Sequence, residues 1–173
     1  GAGTGVLYTS GNINSLSGTI ADNLTNGDGT EIQSRSSHTI ATDVNNGKNI
    51  TVTSNIVYAH SPDPALPVSH PTNLRPGTLG MLARNVTIAS TAPQNLEIDA
   101  VLLAGSSSTS NGSFSVANYN TKVPTGTLKL MGGIIQKARG AVGTLSGSTL
   151  ATGYAKNYYY DPRLADSPPP CFP

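Results

Sequence analysis

Aliphatic and polar residues alternate in three segments that superimpose without gaps: Ile50-Thr-Val-Thr-Ser-Asn-Ile-Val57, Leu96-Glu-Ile-Asp-Ala-Val-Leu-Leu103 and Leu128-Lys-Leu-Met-Gly-Gly-Ile-Ile135. With h for an aliphatic residue, each reads h-x-h-x-x-x-h-h, and their starts lie 46 and then 32 residues apart. A period of two puts Ile50 and Val52, Leu96 and Ile98, and Leu128 and Leu130 on one face of a strand. The next aliphatic position, Ile56, Leu102 or Ile134, keeps that parity, and a small residue precedes it: Ser54, Ala100 or Gly132. Such a repeat predicts coils that stack, each burying the apolar face of its neighbour, with insertions of unequal length between them. A narrow interior accounts for the small residue, since a corner between close backbones leaves no room for a large one. These nine aliphatic residues form the expected core.

A second pattern, Tyr8-Thr-Ser-Gly-Asn-Ile13 and Met81-Leu-Ala-Arg-Asn-Val86, ends each time in Asn followed by an aliphatic residue. Asn at a turn can stack on Asn of the next coil and bond through its amide, or can simply tolerate a left-handed turn. Asn26-Gly-Asp-Gly29 and Asn45-Asn-Gly47 read as turns. The segment 61–76 carries Pro62, Pro64, Pro67, Pro71 and Pro76. It lacks ladder donors at five positions, which makes it an excursion from the coils. Gly105 to Gly112 reads as a flexible loop and Ala138 to Gly153 as a final weak coil. From Tyr154 to Pro173 the chain is rich in Tyr and Pro, which suits a tail capping an apolar end.

The fold expected is one domain over residues 1–173, all-β, a right-handed parallel β-solenoid, the handedness following the bias of parallel crossovers. At about 20–29 residues per turn the chain gives roughly five or six turns. At about 4.8 Å per strand the body is about 25–30 Å long. An antiparallel sandwich is the alternative. The first coil, near Val6 to Ile13, has only a Gly-rich lead to cover it. It is the end expected to dock an upstream segment or a neighbouring subunit.

Composition agrees. Only 11% of residues are charged, against about 25% in ordinary domains. Polarity comes from Ser, Thr, Asn and Gly, which favour strands and turns over helix interiors. A net charge of +1 argues against a nucleic-acid or membrane surface, which needs clustered cations. Lys137 and Arg139 are the nearest approach to a basic pair and read as solvated beside a turn. Cys171 is the single cysteine, so the chain forms no internal disulfide, and the thiol is idle or pairs with another chain. No apolar run is long enough to cross a membrane as a helix. Gly1 to Gly5 reads as a processed end or linker, with any export signal upstream.

The chemistry tests come out empty. No nucleophile elbow, phosphate-binding loop or His-Glu-x-x-His motif occurs. His60 and His70 bracket the Pro-rich excursion and, with Asp63, could approach a metal's ligand set. Exposed loop histidines are usually only solvated, and His38 stands apart. Glu97 and Asp99 alternate with Leu96 and Ile98, so both point outward, as glycosidase carboxylates would on a strand. Stacking of the three repeats in order would put Glu97 between Thr51 and Lys129, predicting a Glu97–Lys129 ion pair instead. Sequons at Asn23, Asn49, Asn85 and Asn111 matter only where the host glycosylates exported proteins. No catalytic, cofactor-binding or metal-ligating residue is assigned, and no cofactor is expected.

The strings Ala92-Pro-Gln-Asn-Leu-Glu-Ile-Asp-Ala-Val-Leu-Leu-Ala104, Gly112-Ser-Phe-Ser-Val-Ala-Asn-Tyr119, Gly126-Thr-Leu, Gly132-Gly-Ile-Ile-Gln-Lys-Ala-Arg-Gly-Ala-Val-Gly143, Tyr158-Tyr-Tyr-Asp-Pro-Arg-Leu164 and Pro168-Pro-Pro-Cys-Phe-Pro173 resemble the C-terminal solenoid region of a bacterial family of exported proteins. Many of its members carry a type IV pilin-like N-terminal helix and sit with pilus-assembly or minor-pilin genes. Cys171 stands where that family usually has an aromatic residue. The resemblance, over about residues 50–173, implies a non-catalytic structural or adhesive domain at the cell surface. Its partners would be other filament or pilin subunits. A glycan- or DNA-binding module is the alternative reading, and a carbohydrate-active β-helix enzyme the third.

Overall fold

A computed structural model describes residues 5–20, 24–25, 31–32, 37–58, 63–67, 77–165 and 167–172. The strands are β1 (Gly5–Thr9), β2 (Ile13–Ile20), β3 (Leu24–Thr25), β4 (Glu31–Ile32), β5 (His38–Thr42), β6 (Ile50–Tyr58), β7 (Leu79–Ala83), β8 (Val86–Ile88), β9 (Leu96–Ala104), β10 (Phe114–Val116), β11 (Gly126–Gln136), β12 (Gly143–Ser146) and β13 (Thr149–Tyr160). One 3-10 turn follows at Pro162–Ala165. Among the described residues every pairing in the body is parallel, and the antiparallel ones are the small β3–β4 pair and the terminal β12–β13 pair. The protein is therefore a parallel β-solenoid, not a sandwich.

The pairings fall into three stacks. The first holds β1, β5, β7 and the C-terminal halves of β9 and β11. The second holds the N-terminal halves of β2 and β6, then β8 and β10. The third holds the C-terminal halves of β2 and β6, the N-terminal halves of β9 and β11, and β13. Five strands in the first stack make four steps, so the solenoid has about four turns, fewer than the five or six expected. The coils are longer than that expectation allowed. Gly5 pairs with His38 and His38 with Leu79, steps of 33 and 41 residues, whereas Gly80 to Val101 takes 21.

The repeat has physical meaning, with one correction. β11 stacks on β9 with Leu128 on Leu96, Leu130 on Ile98 and Ile134 on Leu102, the 32-residue step expected. β6 does not follow the 46-residue alignment. Ile50 stacks on Val86 and Ile56 on Ile98, a step of 42 residues in the second case. The slip of four is even and preserves parity, which is why the core assignment survives it. Ile50, Val52, Ile56, Leu96, Ile98, Leu102, Leu128 and Leu130 are all buried, and Ile134 packs half-buried against them. Ser54 is not the counterpart of Ala100. The small pair is Ala100 and Gly132, at the bend where one long strand passes from the third stack to the first. Gly132 has φ +150°, and a Cβ there would lie 2.0 Å from the Ala100 carbonyl oxygen, so only glycine fits.

The corner between the first and second stacks is an Asn ladder. The Asn12 side-chain oxygen accepts from Asn49 N–H at 2.8 Å. That of Asn49 accepts from Asn85 N–H at 3.1 Å and from its side-chain amide at 2.8 Å, and Asn85 in turn accepts from Ser113 N–H at 3.1 Å. The carbonyls complete the exchange: Ile13, Ile50 and Val86 N–H donate to Asn49, Asn85 and Ser113, each at 3.0 Å. Every ladder residue is followed by an inward aliphatic or aromatic residue, so the corner and the core share one register. The Gly105–Gly112 segment, expected to be flexible, is tied to the two coils below. Ser106 and Ser108 donate to Asn45, Arg84 donates to Asn111 and Thr109 is buried.

The described part of the Pro-rich excursion, residues 63–67, is a turn held by Asp63, whose side chain and carbonyl accept from Ala65 and Leu66 N–H. At the first coil, among the described residues, β1 pairs with β5 alone, and Val6, Leu7 and Tyr8 are exposed. The last coil ends in the antiparallel β12–β13 pair, which stops parallel stacking. The tail thus divides. Tyr154–Tyr160 belongs to the terminal coil, while the Pro-rich part runs back along the side of the stack instead of over its end. Thr78 and Thr39 hydroxyls donate to the Ser167 and Pro170 carbonyls. Phe172 and Pro169 lie on Gly80, where a Cβ would come within 2.3 Å of the Phe172 ring.

Asn49→Ala should lower unfolding stability by about 1–3 kcal/mol, because it leaves the Asn85 N–H without its acceptor. Asn111→Ala, at an exposed site, should cost less than about 0.5 kcal/mol. Urea denaturation of both variants checks this.

Candidate functional site

Two places on the solenoid gather ionisable side chains. The first is the outer side of the third stack. Alternation along β9 sends Glu97 and Asp99 outward while Leu96 and Ile98 turn in, as the sequence implies. Their surroundings then diverge. Glu97 meets Lys129 of the next coil at 2.6 Å, and its N–H donates to the Asn55 side chain of the previous coil at 3.0 Å. Asn55, not Thr51, is its neighbour, because of the slipped register of β6; Thr51 pairs with Thr87. Burial pulls the Lys129 pKa down, but the hydrogen bond and charge of Glu97, with Asp99 adding, more than offset this and leave it raised.

Asp99 is fully buried and accepts from Tyr58 N–H at 3.0 Å. Beside it lies the start of the C-terminal segment that runs back along the stack, a strap from Asp161 to Phe172. Arg163 grips Asp161 with its guanidinium, Nε donating to Oδ1 at 3.0 Å and to Oδ2 at 3.2 Å and Nη2 donating to Oδ2 at 2.7 Å, with both residues buried. Its guanidinium stacks 4.2 Å from the centroid of the Tyr58 ring. The Tyr58 hydroxyl accepts from Leu79 N–H at 2.8 Å. Burial, reinforced by Asp161, drives its pKa far above the usual range. This cluster fastens the strap to the second and third coils, and it leaves Asp99 closed to solvent.

The second place is a cleft of about 660 Å³ at the C-terminal end. It is lined by the buried Val142 and Tyr154, by Leu145 and Leu150 of the terminal hairpin, and by the exposed Arg139 and Lys156, which we take as its floor, wall and rim. Burial and the charge of Arg139 lower the Lys156 pKa. The neighbouring Tyr158 phenol is pushed up to about 12 by burial, against the pull of Arg139. By register Lys156 stacks on Leu128 and Tyr158 on Leu130, so both occupy positions that were core in the coil below. Buried Lys122, which does not line the cleft, donates to the Ala92 carbonyl at 2.8 Å and lies 5.1 Å from the Tyr154 ring centroid.

Lys137 and Arg139, which the sequence presents as a solvated pair, are both exposed, but nothing in their spacing announces the cleft beside Arg139. Arg139 acquires its partner Lys156 only when β13 returns to the stack. A signal was present: from Ala100 to Tyr160 there is no Asp or Glu, against five cations, Lys122, Lys129, Lys137, Arg139 and Lys156. Net charge averages this away.

His38 opens β5 half-buried, while His60, His70 and Asn23 lie outside the described residues. Among the described residues no cluster of three His, Cys, Asp or Glu could hold a metal. Asn49 and Asn85 owe their sequon spacing to the ladder: Asn at the corner, an inward aliphatic residue, then an outward Thr. Asn85 uses its side-chain amide as a donor within the stack. Cys171 is an exposed free thiol with φ 59°. No family model, curated protein or solved structure matches the chain.

Glu97→Gln should cost less than about 1 kcal/mol, the usual range for an exposed pair. Because the Lys129 pKa is raised by folding, the pair's contribution is complete below about 10.4, the ordinary lysine value, and is lost as pH rises through the folded value. Urea midpoints between pH 7 and about 11 should therefore fall less in Glu97→Gln than in the parent.

Proposed function

We propose that this solenoid is a non-catalytic structural or adhesive domain of a bacterial cell-surface or pilus-associated protein. The observation that carries the reading is the fate of the two carboxylates a solenoid hydrolase or lyase would need. Glu97 is paired with Lys129, and Asp99 is buried beside the strap. Neither is presented to a substrate as an acid or base must be. Among the described residues many other polar side chains are spent on the ladder, the turns and contacts to the strap, which suits a stiff spacer. The pilus association rests on the resemblance of the C-terminal strings. A binding-module reading is favoured by a different feature, the acid-free run from Ala100 to Tyr160, which leaves the last coils electropositive.

Antibody labelling of intact cells of the source bacterium, with fractionation of sheared filaments, tests the proposal. The protein should be accessible at the surface and enriched in the filament fraction. Confinement to the cytoplasm, or polysaccharide turnover by the purified chain that disappears in Glu97→Gln, would contradict it.

A further inference from the structure

We propose that the C-terminal cleft is a binding site for a small amphipathic organic anion, its charged head held between Arg139 and Lys156 and its apolar body lying on Val142, Leu145 and Leu150. The inference goes beyond the structural or adhesive reading and does not depend on it. Its starting point is an exception to the rule that built the fold. Each coil places aliphatic side chains above those of the coil below, and β13 breaks this at Lys156, directly over Leu128. If the last coil only had to be closed, a small polar residue or a proline would serve. Instead a cation stands over the core and a second, Arg139, is brought to the same rim by the turn between the first and second stacks.

Two like charges at one apolar rim repel each other, and partial burial disfavours the charged form of the lysine. The lowered Lys156 pKa reflects both effects. Neither Arg139 nor Lys156 makes an ion pair among the described residues, and no carboxylate exists anywhere from Ala100 to Tyr160 to supply one. A negatively charged head between them would relieve the repulsion and gain charge-assisted hydrogen bonds. The rest of the cleft states the other half of the ligand's chemistry. Leu145, 68% exposed, lines the same cleft as the buried Val142. At about 660 Å³ the cleft falls within the range of small-molecule sites, about 300–1,000 Å³. Two cations are too few for a nucleic-acid track, where proteins commonly neutralise about 6–10 phosphates.

The test uses the full chain and 1-anilinonaphthalene-8-sulfonate, an anion with an apolar body, followed by its fluorescence. Saturable binding at one site is expected, displaced by octanoate but not by 1-octanol or inorganic phosphate. Arg139→Gln combined with Lys156→Gln should weaken binding at least tenfold. Arg139→Lys should keep it within about threefold, and Leu7→Ser, at the exposed N-terminal coil, should leave it unchanged. Circular dichroism melting of each variant establishes that the fold is retained; both cations are exposed, so little change is expected. Binding that never saturates, that survives in the double variant, or that is displaced equally by 1-octanol would overturn the proposal.

Discussion

Each coil must find the backbone partners of the next coil at one fixed register, and the rest of the structure follows from that constraint. In a solenoid almost no coil satisfies its own backbone groups, so a coil out of register loses hydrogen bonds on both sides at once. The difficulty is greatest at corners, where the ladder between strands is interrupted. Here the corner between the first and second stacks carries its own ladder, with the Asn12, Asn49 and Asn85 side chains bonding upward and the matching carbonyls bonding back. Because each is followed by Ile13, Ile50 or Val86 turning inward, polar and apolar registers cannot shift independently. Insertions within the coils, which make the steps along the first stack vary from 21 to 41 residues, are tolerated because none alters the phase in which a strand re-enters the stack.

The two ends meet the constraint differently. The C-terminal coil stops further stacking with an antiparallel hairpin and places Lys156 and Tyr158 where core residues would otherwise sit. The chain then turns back, and the Asp161–Arg163 clasp on Tyr58, the contacts to Thr78 and Thr39, and Phe172 on Gly80 bind it to the second and third coils. A buried ion pair is costly to desolvate, and this one is offset by bidentate geometry and by stacking on an aromatic face. The strap therefore joins coils that are sequential neighbours to a segment about a hundred residues away, which gives an otherwise linear array some long-range closure.

How much of this was legible follows from where each signal resides. The step between Leu96 and Leu128 could be read directly, because two aliphatic patterns with the same small corner residue leave one register. The step between Ile56 and Ile98 could not, since the pattern is equally well matched at Ile50, and only the competing claim of Val86 on Ile50 settles it. Parity survives a slip of four, so core membership was easier to read than neighbours. The Glu97–Lys129 pair was legible as a consequence of the correct step; the supposed contact with Thr51 failed with the incorrect one. The strap was not legible, because the side of the stack on which a Pro-rich segment lies depends on Tyr58 and Gly80, distant in sequence. The cleft escaped for the same reason, although its charge bias was present in composition.

The register of the third stack is the most direct test of the account. In a Cys171→Ser background, Glu97→Cys with Lys129→Cys places two thiols on adjacent parallel strands about 4.8 Å apart, whereas Thr51→Cys with Glu97→Cys places them on strands that do not pair at those residues. Treatment with a short thiol–thiol crosslinker, followed by peptide mapping, should crosslink the first pair rapidly within one chain and leave the second pair singly modified but not linked. Efficient crosslinking of Thr51→Cys to Glu97→Cys, or none between Glu97→Cys and Lys129→Cys, would contradict the stacked register on which the fold, the ladder and both clusters depend.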